Sequence, residues 1–434
     1  MMRFYRQFFT NRALLVIKYC KLIEADHEPQ SPVSSFGRLS SLSSWAWLSQ
    51  GNFGDAAVSQ SFDVIIVGAG IVGAACAAEC AAAGLTTLIL DRGIVGGGTT
   101  AAGMGHIVVM DDSEAQFALT EYSRRLWLQL RSQLSADVEY ELCGTLWVAA
   151  DEEEMAEARR KEKYYLERGA RVEILDGEGV RQAEPNLRPG LAGGLRVVDD
   201  GVIYPPCAAR FLMDQARRHG AEFRAGAAVK AFLPEGGVEL ADGSRMSAGR
   251  SVNAIGPWSP ELMPGLPVRK RKGHLVITDR YPGFVRHQIV ELGYLKSAHS
   301  VSKDSVAFNI QPRQTGQMLI GSSRQFDAEG TEVDQAILSR MLARAVEYLP
   351  SLRKLSATRV WTGHRAATPD KLPLIGPSRE HDRIWLASGH EGLGITTSLG
   401  TGRLVADLLV GRQTEIPSQP YAPARFGNES FSHA

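Results

Sequence analysis

Apolar and polar positions fall into blocks along this chain, and the first clear block begins at Phe62. Val64 to Val67 is a short β-rich apolar run, as expected of a strand buried on both faces. It runs directly into Gly68-Ala-Gly70-Ile-Val-Gly73. An alanine-rich segment from Ala74 to Ala83 favours helix, and Gly84 ends it. A second apolar run, Thr86 to Leu90, finishes at Asp91. This order of parts is that of a dinucleotide-binding βαβ unit. A tight turn after the strand lets backbone approach a pyrophosphate, and the helix N-terminus holds its negative charge. A carboxylate at the end of the next strand accepts ribose hydroxyls. Gly68, Gly70, Gly73 and Asp91, with Arg92 beside it, are therefore expected to hold an ADP half. The fingerprint by itself fits FAD and NAD equally.

Further along, the pattern predicts a helix over Glu114 to Leu134, a strand over Thr145 to Ala149 and a solvent-washed helix over Glu152 to Arg168. Leu187 to Gly201 reads as loop, and Cys207 to His219 as helix. Short strands follow at Glu222 to Arg224 and Val229 to Phe232, with a hairpin signal at Asp242-Gly243. Ser251 to Ala254 is another buried strand and runs into Gly256-Pro-Trp258-Ser259. From Leu275 to Ile320 short strands and turns predict an antiparallel sheet. Asp334 to Tyr348 is helical, Trp361 to Pro377 irregular, and Ile384 to Ala387 a strand. Gly389 to Gly394 then opens a helix from Thr396 to Val410. The nucleotide-binding elements thus sit at both ends, with a sheet threaded between them.

At 434 residues, with 44% hydrophobic and 22% charged, the chain has the length and composition of an ordinary globular enzyme. Lys and Arg number 48, as do Asp and Glu, so no charge excess points to nucleic acid. The five cysteines, Cys20, Cys76, Cys80, Cys143 and Cys207, show no metal-ligand spacing and read as thiols in a reducing compartment. No run approaches the roughly 20 apolar residues of a transmembrane helix. The first 60 residues differ from the rest. Arg3, Arg6, Arg12, Lys18 and Lys21 precede the first acid, Glu24, and residues 31–50 are serine-rich. This extension is expected to lie outside the fold, either disordered or targeting; a transit peptide, an over-long start and a loose membrane-surface tail all fit it. The expected location is cytoplasmic, or peripheral at the inner face of a membrane.

Four blocks combine in fixed order: the glycine fingerprint, TTAAGMG after it, VNAIGPWS in the middle, and GHRAATPDKLPLIG with SGHEGLGITTSLGTG at the end. Together they resemble the FAD-dependent amine and D-amino-acid oxidoreductases, the family of glycine oxidase, sarcosine oxidase and D-amino-acid dehydrogenase. The likeness covers about residues 61–425. It implies an α/β fold, with a Rossmann-type FAD domain from discontinuous segments (about 61–110, 200–260 and 361–412) and an antiparallel-sheet substrate domain (about 135–199 and 268–350). Residues 426–434 form a tail.

The resemblance decides for FAD, held non-covalently because no cysteine lies beyond Cys207. Thr99, Thr100, Gly103, Met104 and Gly105 match the segment along the pyrophosphate and under the flavin ring. Val229 matches a backbone contact to adenine, and Gly256 and Trp258 match the middle block. Gly389, His390, Gly392, Leu393, Gly394, Ile395 and Thr396 match a helix opening whose amides favour the reduced flavin. His390 could equally cap or pack. Arg365 matches the arginine that pairs with a substrate carboxylate, for which a planar guanidinium fork is suited. In glycine oxidase a second arginine follows the GH pair by two positions; here Gly392 stands there. His274 sits where relatives place a polar residue near the ring, and Tyr294, His299 and Asn309 are further candidates on the sheet.

The implied reaction is oxidation of a small amino acid (a D-amino acid, or one like hydroxyproline or glycine) by hydride transfer to the flavin, giving an imine and then a keto acid. A neutral amine needs no protein base. The electron acceptor is a quinone, a partner subunit or oxygen. The GHEGLGITT block looks closer to the flavin subunits of D-hydroxyproline dehydrogenase and hydrogen cyanide synthase than to glycine oxidase. That favours a dehydrogenase working beside other subunits. Oxidation of a 2-hydroxy acid, or a non-catalytic FAD subunit relaying electrons, are the competing readings.

Overall fold

A computed structural model describes residues 61–293, 304–326 and 328–427. The N-terminal extension with Cys20, the candidates Tyr294 and His299, and most of the C-terminal tail lie outside the described residues.

The chain begins with β1 (Phe62–Val67), α1 (Ile71–Ala82) and β2 (Thr87–Asp91), the βαβ unit expected from the glycine fingerprint. α1 packs tightly because Ala74, Ala75, Cys76, Ala77, Cys80 and Ala81 are all small and buried. The two cysteines are thus packing residues. Next come β3 (His106–Ile107), α2 (Glu114–Leu130), β4 (Thr145–Ala149), α3 (Glu152–Leu166), β5 (Val172–Asp176), α4 (Gly177–Ala183), β6 (Gly193–Val197) and β7 (Gly201–Val202). α2 and α3 each start at a side-chain cap, Ser113 and Asp151, accepting from the amides of Gln116 and Glu154. α5 (Pro205–Arg218) leads to β8 (Glu222–Ala225), the small antiparallel set β9 (Val229–Phe232), β10 (Val238–Leu240) and β11 (Arg245–Met246), and then β12 (Ala248–Asn253) and α6 (Ser259–Leu262). The long strand β13 (Arg269–Thr278), the short β14 (Gln288–Glu291) and the long β15 (Asp304–Pro312) and β16 (Met318–Phe326) follow, with α7 (Gln335–Tyr348) and β17 (Ala357–Ala367) after them. β18 (Leu374–Pro377), β19 (Ile384–Ser388) and α8 (Gly394–Leu409) close the order.

Two large sheets result. The first runs β18-β19-β12-β1-β2-β8 and is parallel except for β18. α1 and α8 cover one face of it, and their shared core includes Val64, Ile66, Ile89, Leu404 and Val405. The second runs β17-β13-β16-β15-β14-β4-β6-β5. α7 packs on β15 and β16, burying Met341, Ala345 and Tyr348 against Phe308, Ile310 and Ile320.

Four expectations need correction. The second sheet is mixed, not purely antiparallel, since β4 and β14 pair in parallel; parallel neighbours need a long crossover, and the chain between these two strands supplies one. Its central strands are nine or ten residues long rather than short. Trp361 to Pro377 is not irregular: β17 and β18 occupy it, and β17 belongs to the second sheet instead of the nucleotide half. β17 is only half-buried along most of its length, so it lacks the apolar alternation by which a core strand is recognised. Finally, the loop-like stretch from Leu187 contains β6. Its Gly193 and Gly194 disguise it, yet a Cβ at either would overlap the carbonyl oxygen of Leu175 or Trp147.

Candidate active site

The parallel strands β1, β2 and β12 end at one side of the first sheet, where open α/β sheets bind ligands. A cavity of about 960 Å³ opens there and extends along the second sheet. Gly68, with φ +109°, turns the chain away from β1, and Gly70 starts α1 without a side-chain cap. Both line the cavity. Gly73 does not; a Cβ there would overlap the Gly68 carbonyl oxygen, so this glycine lets helix and turn touch. Asp91, at the end of β2, lines the cavity while accepting from the amides of Ala69 at 2.6 Å and Gly93 at 2.7 Å. Arg92 lies over the Trp258 ring at 5.3 Å, and both residues line the cavity with Val229 and Gly256.

The TTAAGMG block crosses from this side to the second sheet. Thr100 accepts from the Ile71 amide at 3.0 Å, and the Thr99 hydroxyl donates to the His364 carbonyl at 2.9 Å. The two threonines therefore tie the glycine loop and β17 together, and their side chains are not simply waiting for phosphate. Gly105, at φ +108°, lies so close to Ile203 that a Cβ would overlap its carbonyl oxygen. Met104 packs with Leu275 and Leu319 and gives its carbonyl oxygen to Gln311 at 2.7 Å. Gly103 faces Ile395 at the start of α8.

α8 has Leu393 at its N-cap, again without a side-chain cap hydrogen bond, and no acid in its first turn. Gly392, Leu393, Gly394 and Ile395 line the cavity, so the N–H groups of this helix end face it. His390 is a packing residue: its Nε2 meets the Thr401 hydroxyl at 3.0 Å, and burial pulls its pKa down to about 3. Gly389 and Thr396 lie behind the lining. Gly389, at φ +79°, turns against Thr368, and the Thr396 hydroxyl donates to the His106 carbonyl at 2.8 Å.

Arg365 projects from β17 across β13. A Cβ on Gly273 would stand 2.5 Å from its Nη1, and one on Gly392 would stand 3.4 Å from its Nε. Nη1 donates to the Ser323 carbonyl at 3.1 Å. Two glycines thus make the bed in which this guanidinium lies at the cavity wall. His274 is the clearest departure from expectation. Gly273 and Leu275 face the cavity, and strand alternation turns the residue between them to the other face. There its Nδ1 meets the Ser323 hydroxyl at 3.0 Å, and its Nε2 accepts from the Asp334 amide at 2.9 Å. Burial lowers its pKa to about 4, with the Lys272 charge adding. Both ring nitrogens are used in joining the sheet to α7, which removes His274 from the site.

The structure adds residues that the sequence did not single out. Arg271 and Arg324 line the cavity on the same sheet. Arg271 is ion-paired with Glu391, a non-glycine residue held at φ +52° in the GHEGLG turn. Trp147 on β4, Gln288 on β14 and His106 on β3 also line it, as does the candidate Asn309 on β15. Burial lowers the His106 pKa to about 4, the Gln288 side chain partly opposes this, and the Arg365 charge adds to it. His106 follows directly on the TTAAGMG block and could have been found from it. Trp147 and Gln288 carry no local signal, since only sheet register brings them in. Among the described residues no cluster could hold a metal ion, and no helix is long and apolar enough to cross a membrane.

The family model for FAD dependent oxidoreductase matches residues 63–408. The chain belongs to the FAD-dependent oxidoreductase family. It is similar to the hydrogen cyanide synthase subunit HcnC of Pseudomonas aeruginosa, 26% identical across 86% of this chain and 98% of that one. It is 30% identical to a D-amino acid dehydrogenase of Xanthobacter autotrophicus, across 71% of this chain and 73% of that one. Among solved structures, glycine oxidase from Geobacillus kaustophilus superposes with a TM-score of 0.77 at 25% identity, covering 85% of this chain and 99% of that one. The cavity of this flavoenzyme fits FAD on its own evidence: two uncapped helix N-termini and a run of glycines converge where a diphosphate and a flat ring need close backbone.

Proposed function

We propose that this flavoenzyme oxidises the α-carbon of a small amino acid and acts as a dehydrogenase beside partner subunits. The observation that carries this is Arg365, bedded on Gly273 and Gly392 in the cavity wall, next to the turn that opens α8. Its fork binds a carboxylate through two charge-assisted hydrogen bonds and fixes which face of the α-carbon is presented. Bound FAD, held without a covalent link, supplies a two-electron acceptor. Gly68 and Gly70 of the fingerprint, the ring of Trp258 and the end of α8 would hold it, and the α8 amides would favour negative charge there. His274 and His390 are committed to packing contacts and neither is placed to act as a base, and a substrate that arrives as the neutral amine needs none. The dehydrogenase assignment rests on the likeness to relatives named as a dehydrogenase and as a subunit.

Anaerobic mixing of the holoenzyme with D-amino acids, glycine, sarcosine and hydroxyproline isomers tests this through flavin bleaching. One of these amino acids is expected to bleach it, and the reduced enzyme should react faster with a quinone dye than with oxygen. Bleaching by 2-hydroxy acids alone would overturn the substrate class.

A further inference from the structure

Two buried polar atoms that have no partner in the protein meet at one part of the cavity. They are Trp147 Nε1 and Asn309 Oδ1, and beside them stand His106 and Gln288, whose side chains meet one another; all four residues line it. Buried polar atoms are normally hydrogen-bonded, so two orphans beside a polar pair mark where a polar group belongs. Sheet register explains how they come together. Val290 pairs with both Trp147 and Asn309, one on each side, and Gln288 stands two residues along the same face. With strands about 4.8 Å apart, Trp147 and Asn309 are roughly 10 Å from one another.

This wall adjoins the arginine. Arg365 reaches over β13 to the Ser323 carbonyl of β16, and β15, which carries Asn309, is the next strand. Arg365 and all four wall residues line the same cavity, so the guanidinium and the wall border one space. A carboxylate held at Arg365 would leave the rest of its molecule facing these atoms. The wall offers oxygen and imidazole acceptors together with one donor, the Trp147 indole N–H. Its residues are uncharged, and His106 is neutral near pH 7 because burial holds its pKa at about 4. A charged side chain would find no counter-ion on the wall itself. An apolar one would leave every orphan unpaired.

We propose that this wall is the side-chain subsite of the substrate, taking a neutral group that both donates and accepts hydrogen bonds, a hydroxyl or a carboxamide. It rests on the reading that an amino-acid carboxylate sits at Arg365. A site built to hydrogen-bond a substrate group rejects the analogue lacking it far more strongly than a hydrophobic pocket rejects a missing methylene.

The test uses the holoenzyme and two acids of matched shape, 3-hydroxybutyrate and 3-methylbutyrate, titrated through the flavin difference spectrum. Neither can be oxidised at an α-amine, so binding is read apart from turnover. The hydroxy acid is expected to bind at least about tenfold tighter. Trp147→Phe and Asn309→Leu, made separately, should each shrink that preference without changing flavin content. Equal or tighter binding of 3-methylbutyrate overturns the proposal. So does a flavin spectrum that answers to neither acid, or a preference that survives both substitutions. Turnover separates the two ideas: D-valine oxidised as well as D-threonine sinks the subsite and leaves the amino-acid reading standing. An intact hydroxy-acid preference with no amino acid turned over does the reverse.

Discussion

Along the first sheet the cavity is bounded by strand ends, glycines and two helix N-termini; along the second it is bounded by arginine, tryptophan, glutamine and asparagine side chains. The backbone wall suits what every FAD molecule shares, a diphosphate and a flat ring, and its N–H groups are the same whatever the sequence. The side-chain wall suits what differs among substrates. The two should also fail differently. Where a wall is backbone, an added Cβ meets main-chain atoms that cannot step aside. Where it is side chain, a substitution changes the ligand and leaves the fold.

The sharpest way to break that comparison lies within the fingerprint itself. A Cβ at position 73 overlaps the Gly68 carbonyl oxygen, so Gly73→Ala should lose the folded protein or lower its melting temperature severely. Gly70 has φ −65° and ψ 175°, open to any residue, and a Cβ there meets only the Thr100 hydroxyl at 3.3 Å. Gly70→Val should therefore fold but carry no flavin. Circular-dichroism melting and absorbance near 450 nm separate these outcomes, and a yellow Gly70→Val protein would end the assignment of this wall to the cofactor.

On the opposite wall, Arg365→Ala should keep its flavin and lose catalysis. Stranding a carboxylate in a dry site costs roughly 2–5 kcal/mol, which is about 30-fold or more in kcat/KM. Arg365→Lys keeps the charge, loses the fork and should recover only part of this. Flavin loss from the Ala variant would move Arg365 to the cofactor. A smaller effect is expected from Gly273→Ala, whose Cβ would stand 2.5 Å from Nη1, the movable end of a long side chain. The protein should melt as before, while kcat/KM falls about tenfold, roughly 1.4 kcal/mol, through a raised KM. An unchanged KM would show that the guanidinium is not bedded there.

The same contrast decides what the sequence could reveal. The fingerprint is legible because its chemistry is local: glycines, a small-residue helix and Asp91 lie within one βαβ unit, and the structure returns that unit, with its helix starting at Ile71 rather than Ala74 and its first strand at Phe62 rather than Val64. Helices with side-chain caps at Ser113, Asp151 and Asp334 are equally plain. Arg365 was reachable because its block stands beside a recognisable turn. Asn309 was a candidate on the expected sheet, but the wall as a whole was not legible, since Trp147 and Gln288 come from other strands far apart in the chain and join it only through register. His274 misled for a related reason. Its neighbours do line the cavity, and a one-residue offset on a strand reverses the face.

His274 also supplies the prediction with the smallest effect on turnover. His274→Gln should leave flavin content and kcat/KM within about threefold, because the imidazole lies behind the sheet. Its cost should appear in stability, at about 1–3 kcal/mol near pH 7, from breaking hydrogen bonds to Ser323 and Asp334 in a buried place. The pH dependence gives the role away. Burial holds the folded pKa at about 4 against an ordinary 6.5, so between these values the unfolded chain binds a proton that the folded chain refuses. Stability from this group is therefore complete above about pH 6.5 and is lost as pH falls towards 4, by up to about 1.4 kcal/mol per unit. His106 and His390 add slopes of the same sign and persist in the variant. The stability gap between wild type and His274→Gln should accordingly narrow as urea melts move from pH 7 to pH 5. Parallel curves across that range would show that the ring is not held neutral, and a collapse of kcat/KM with flavin intact would return His274 to the active site.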